Sequence, residues 1–230
     1  MAQAQAIPVA KPVAFNRYLG LIYLTMALGL GITAVVSTSV STNPDMIRRI
    51  LFNPWFAFGL FMLQIFVVVG ISAAVMRLSA GVAFILFLLY SALTGVAISS
   101  IFIYYSNSTI AYTFWVAAGM FLFSSIIGFF SKRDLSGAGM FLLLALAGWT
   151  FGLFLTWFLP FAQGLNQLMN FTGILLFAAL TVWDTQRLKA LTAQLEGDRR
   201  SMGGIIVIGA LALYLDFINL FLLMLRTSRR

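Results

Sequence analysis

Long apolar runs, separated by short polar connections, set the pattern of this chain. A run of roughly 20 apolar residues is needed to cross the hydrocarbon core of a bilayer. Seven such runs can be read: about 18–36, 55–76, 81–103, 110–130, 138–159, 168–188 and 204–225. Arg77 closes the second, and Pro160 stops the fifth because it cannot continue the helical hydrogen bonding. Between the first and second lies a polar stretch, Ser41 to Pro54, read as a loop. Ser131 to Asp134 makes a tight polar connection after the fourth. No strong internal repeat is visible, but small residues cluster within the runs: Gly29 and Gly31, Gly148 and Gly152, Ser124 and Ser125 with Gly128. Such residues let membrane helices approach closely, so packing is their expected role.

Composition agrees with this pattern. The chain is 62% hydrophobic and 9% charged, with a mean hydropathy of +1.02. A soluble domain would carry about 25% charged residues. The fold class expected is therefore an all-α integral membrane protein. Its organisation is a tail over residues 1–17, which carries Lys11 and Arg17, followed by one seven-helix membrane domain over 18–230. A cleaved leader is disfavoured, because the run from Tyr18 is long for one and no convincing cleavage site precedes it.

The net charge of +8 does not point to nucleic acid, since the basic residues sit in short connections rather than on one face. It speaks to topology and to anionic headgroups instead. With the amino terminus inside, 9 Lys and Arg fall on cytoplasmic segments and 5 on external ones, which favours that orientation. The exterior trio Arg226, Arg229 and Arg230 is the misfit. A re-entrant last segment would return it to the cytoplasm, yet Ile205 to Leu225 is long enough to cross and unbroken by Gly or Pro, so seven crossings are preferred.

Cysteine and histidine are both absent. Disulfides, thiol nucleophiles and the familiar zinc sites are thereby excluded, and no cofactor is expected. Proton sensing near neutral pH cannot use imidazole, the usual group for it. It must use a carboxylate displaced from its ordinary range by burial or by a like-charged neighbour.

Only 6 acids exist in the chain, and two of them lie on consecutive membrane segments. Asp216 sits in the middle of the last run, where an ionised carboxylate costs at least about 2.5–3.5 kcal/mol. Helical spacing places Gly209, Ala212, Asp216 and Asn219 on one face, and Asn166, Asn170, Gly173, Phe177, Leu180, Asp184 and Arg187 on one face of the sixth run. Both acids can therefore look inward. Carboxyl groups within about 4–6 Å of one another cannot both ionise cheaply and titrate as a unit. Arg77 is a candidate latch on one of them, and Asn219, Gln64 and Asn170 are read as interhelical hydrogen-bonding residues. Depth opposes the pairing, because Asp184 lies about one turn from its run's end and the two acids differ in depth by ~10 Å. Helix tilt, or a sixth helix running past Leu188, must close that gap. An interfacial Asp184 paired with Arg187 or Lys189 stays open, and Trp55, Trp157 and Trp183 sit where interfacial belts form.

The segment from Gly209 to Arg226, GALALYLDFINLFLLMLR, closely resembles the signature of the Bax inhibitor-1 (transmembrane Bax inhibitor motif) family. Leu180 to Leu188, LTVWDTQRL, resembles its sixth-helix motif, and Tyr90 to Gly95 is similar to its third-helix segment. The resemblance runs from about residue 18 to the end. It implies seven transmembrane helices with the C-terminal helix central, surrounded by the other six. It further implies that Asp184 and Asp216 match the two aspartates that form a pH-responsive pair gating calcium leak in bacterial members, with Arg77 where such members have a basic latch. The sequence around Arg77 lacks the basic cluster some members show. Some bacterial relatives instead associate with and restrain a membrane-anchored ATP-dependent protease. An inner-membrane location, with the amino terminus cytoplasmic, follows from the same likeness and the charge bias.

Three functions from different classes are consistent with these residues. The first is a passive cation leak channel, with calcium the expected ion, gated by Asp184 and Asp216; ionised carboxylates are hard oxygen ligands that suit transient calcium binding. The second is an interaction protein that modulates a membrane protease, using the tail from Met1 to Arg17. The third, an intramembrane aspartyl protease, is the weakest, because Asp216 follows Tyr-Leu and Asp184 follows Trp, without the Gly-x-Gly that lets a substrate backbone approach. A non-enzyme is expected.

Overall fold

The computed structural model describes residues 17–74, 79–156, 163–194 and 199–228. Among the described residues every regular element is a helix: α1 (Arg17–Ser41), α2 (Pro44–Phe52), α3 (Pro54–Ala74), α4 (Ala80–Ile98), α5 (Ile101–Tyr104), α6 (Asn107–Phe130), α7 (Ser136–Thr156), α8 (Gln163–Gln194) and α9 (Arg199–Thr227). They supply 7 segments long and apolar enough to cross a membrane, the third being α4 and α5 together. That third segment is interrupted at Ser99, whose hydroxyl donates to the Val96 carbonyl at 2.7 Å.

The helix α9 is the core. In its most apolar stretch 61% of the residues are buried, against 6% for α3 and for α7. Helices α1, α4, α6 and α8 pack directly on it, while α3 and α7 complete the outer ring against α4 and α8. Leu213, Tyr214 and Leu220 are fully enclosed. The outward faces of α3, α6 and α7 carry Phe61, Phe66, Phe123, Phe130, Phe141 and Leu144, all exposed, as lipid contact requires. This is an all-α membrane protein with its last helix at the centre.

The small residues do what their spacing suggests, though not uniformly. A Cβ on Gly128 would run into the backbone carbonyl of Val182, so α6 and α8 touch backbone to backbone there. One on Gly95 would come within 2.8 Å of the Thr33 carbonyl, fixing α4 against α1. Gly29 receives the ring of Phe87, whereas Gly31 and Gly148 face open space.

One expected loop is a helix. The stretch from Ser41 to Pro54 contains α2: the Asn43 side chain accepts from the backbone N–H groups of Asp45 and Met46 at 3.1 and 3.2 Å, and Pro44 occupies the first turn. Such a cap and a first-turn proline start helices well. Ile47 and Ile50, three apart, turn inward and Arg48 and Arg49 outward, so α2 is a short amphipathic helix lying between α1 and α3.

Candidate functional site

Helices α8 and α9 carry the two acids into the bundle. Ten residues of helix follow Asp184 before α8 ends at Gln194, so Asp184 is not the terminal-turn residue its apolar run suggested. The helix thus continues past Leu188. Asp184 and Asp216 act on each other electrostatically across the α8–α9 interface. Asp216 is 5% exposed, and its Oδ2 is buried with no well-formed hydrogen bond to any described residue. Such an atom is costly to leave unpaired.

A belt of hydroxyls surrounds the pair. Thr181, one turn before Asp184, also reaches the Asp216 carboxyl, while its hydroxyl lies 2.8 Å from the Phe177 carbonyl. Thr185 stands 3.0 Å from the Tyr23 hydroxyl of α1 and 3.5 Å from Ser125 Oγ of α6. On the other side of α9, Tyr214 stands 2.6 Å from Thr33 Oγ1. Thr33 has one proton, directed at the carbonyls of Gly29 and Ser91 at 3.0 and 2.9 Å, so Tyr214 is the donor between them. Gln64 of α3 joins this network, donating to Thr94 Oγ1 of α4 at 3.1 Å. Interhelical bonding is thus the role of Gln64, as its position in an apolar run implied.

Asn219, expected on the same face as Asp216 and as an interhelical partner, directs its amide elsewhere. Its Nδ2 donates at 2.8 Å to the Leu215 carbonyl of its own helix. Asparagine one turn from a carbonyl can always satisfy itself locally, which spacing does not reveal. The candidate latch Arg77 lies outside the described residues, as do Trp157 and the tail up to Asn16.

The cations near Asp184 divide their work. Arg187 is exposed, acts electrostatically on Asp184 and lies over the Trp183 ring at 5.2 Å. Lys189 donates at 2.7 Å to the Phe129 carbonyl at the end of α6, away from the acids. The Trp183 ring packs against Gly139 of α7. Gln186 is a residue that sequence reasoning passed over. Its Oε1 accepts from the Leu135 backbone N–H at 2.9 Å and its Nε2 donates to the Arg133 carbonyl at 2.8 Å, pinning the α6–α7 connection to α8. The signal available was its place two residues after Asp184, inside the LTVWDTQRL segment. Tyr214, two residues before Asp216, was also passed over.

Among the described residues no group of three or more His, Cys, Asp or Glu could hold a metal ion.

A central apolar helix that carries a buried acid and is enclosed by six further spans defines a polytopic all-α membrane protein. The family model described as Inhibitor of apoptosis-promoting Bax1 matches residues 15–228. The chain belongs to this family, Bax inhibitor-1. It is similar to the Inner membrane protein YbhL of Escherichia coli K12, 41% identical over 210 residues that cover 91% of this chain and 89% of that protein. An uncharacterized protein of Borreliella burgdorferi is 37% identical over 212 residues, 92% of this chain and 90% of its own. An uncharacterized membrane protein of Streptococcus pyogenes serotype M1 is 30% identical over 220 residues, 95% of this chain and 94% of its own.

Proposed function

We propose that the protein is a passive cation leak channel, with calcium the expected ion, whose opening depends on protonation of the Asp184–Asp216 pair. The single observation that supports this reading is the burial of Asp216, 5% exposed on the central helix, where Asp184 of α8 acts on it electrostatically. A hydrogen bond between two carboxyl groups needs a proton on one of them. With that proton present, the pair ties α8 to α9. Once it leaves, two like charges face each other in an apolar interior, repel, and favour separation of the helices or entry of a compensating cation.

The charge bias of the connections supports an amino terminus on the cytoplasmic side, and the likeness to an inner membrane protein supports that membrane as its location. Arg77, at the cytoplasmic end of the second segment in this orientation, is proposed as a latch on the acid of α8.

The test is calcium flux into liposomes carrying the purified protein, followed against pH. Flux rises as pH rises through the titration of the pair, and Asp216→Asn removes the pH dependence. Unchanged flux and unchanged pH dependence in Asp216→Asn would refute the mechanism.

A further inference from the structure

Where α1 ends and α6 begins, a cavity of about 450 Å³ opens between α1, the α4–α5 segment, α6 and α9. Its lining is apolar apart from Thr33, Ser37, Thr38 and Asn107. Phe217 lines it too, with its ring edge-on to Phe114 at 5.4 Å and to Phe121 at 5.6 Å between centroids. Phe121 in turn meets Tyr23 edge-on at 6.4 Å. The Tyr23 hydroxyl is the one bonded to Thr185, the neighbour of Asp184. A file of aromatic rings therefore stands between the cavity and the hydroxyl belt around the acids.

We infer that this cavity is the vestibule of the ion path, and that Phe121 and Phe217 form the dry constriction closing it from the acid pair. Apolar constrictions in channels block ions by excluding water, without a plug or a charge. Phe121 and Phe217 are both buried, 3% exposed each. Tyr23 has the chemistry for the inner end of such a file, since its ring packs on Phe121 while its hydroxyl faces the polar side. Asp216 and Phe217 are adjacent on α9, about 100° apart around it, so one looks to α8 and the other to α6. Any displacement of α9 by the acids moves the constriction with it. The inference rests on the leak reading and adds to it a second, uncharged barrier.

The chain contains no cysteine, so single introduced thiols report without background. Ser37→Cys places one in the vestibule and Ser125→Cys places one beyond the constriction, and each is treated with a membrane-impermeant methanethiosulfonate reagent in spheroplasts and, separately, in everted vesicles. Ser37→Cys is labelled from the face that carries α2 and Ser125→Cys is not. Adding Phe121→Ala, or the milder Phe217→Leu, raises the labelling rate of Ser125→Cys from that face about tenfold or more, as removal of a dewetted barrier requires. The same two substitutions raise calcium flux at acid pH and leave the midpoint of its pH dependence in place.

A Ser37→Cys that is unreactive from both faces means a lipid-filled cavity and overturns the vestibule. Equal labelling of Ser125→Cys with and without the rings overturns the constriction. The expected labelling with no calcium flux at any pH overturns the ion path, and with it the leak reading, while a failed labelling pattern beside pH-dependent flux overturns this inference alone.

Discussion

The hydroxyl of Tyr214 stands 2.6 Å from that of Thr33, tying the central helix to α1 two residues before Asp216. Tyr214 is fully buried and also reaches Thr94 and Ser91 of α4, so three helices share this knot. In the apolar interior of a membrane bundle, bonds of this kind fix rotation of a helix as much as they stabilise it. The knot therefore sets which way Asp216 points.

Removing either partner should weaken the bundle by about 0.5–1.5 kcal/mol, the usual net worth of one hydrogen bond. Because they act on one bond, Tyr214→Phe and Thr33→Val combined should cost less than the sum of the two. Thermal unfolding in detergent of the parent, both single variants and the double variant checks this. Strict additivity would mean that the hydroxyls act separately.

The backbone contact of α6 with α8 gives a second expectation. A methyl group on Gly128 meets the Val182 carbonyl, while one on Gly119 meets nothing within 4 Å. Gly128→Ala should cost about 1–3 kcal/mol through overpacking, and Gly119→Ala, on the same helix, should be neutral or better. Equal melting temperatures for the two variants would contradict the close approach.

Gln186 holds the α6–α7 connection by two hydrogen bonds, one to the Leu135 N–H. Gln186→Ala should speed hydrogen exchange at the Leu135 amide about tenfold, the effect of losing roughly one buried-side hydrogen bond. The exchange of amides in α9 should stay as it was. An unchanged Leu135 rate would show that the connection is held by other means.

Arg187 supplies the positive charge that acts on Asp184. A nearby cation favours the ionised carboxylate, so its removal makes the proton harder to lose. In Arg187→Gln the rise of calcium flux with pH should therefore shift toward alkaline pH, and Arg187→Lys should restore the parental curve. A shift toward acid, or none, would separate Arg187 from the pair.

Much of this architecture was legible in the chain because the bilayer imposes a simple length rule. All seven spans fall close to the expected runs, but α9 is buried on nearly every side: Leu211, Leu213 and Phe217 are enclosed more deeply than Asp216, while Ala212 and Asn219 of the expected inward face are only half-buried. What escaped was local. The nine-residue α2 carries two prolines' worth of turn signal at its borders, Pro44 and Pro54, and is too short for its Ile47–Ile50 spacing to stand out. Hydropathy ended the sixth span near Leu188, yet the helix continues through Lys189 and Thr192, because each polar group finds a carbonyl partner. Side-chain direction was the least legible quantity: Asn219 bonds to its own helix, while Gln64 and Tyr214 bond across helices.

The proposed contact between the two acids is most directly tested by infrared difference titration of the carboxyl bands in the lipid-embedded protein. A shared proton predicts that the parent titrates in coupled steps, and that Asp184→Asn alters the carboxyl band and midpoint of Asp216, with the reciprocal effect in Asp216→Asn. If each acid keeps its own band and midpoint after the other is replaced, the two do not hold a proton in common and the gating account fails.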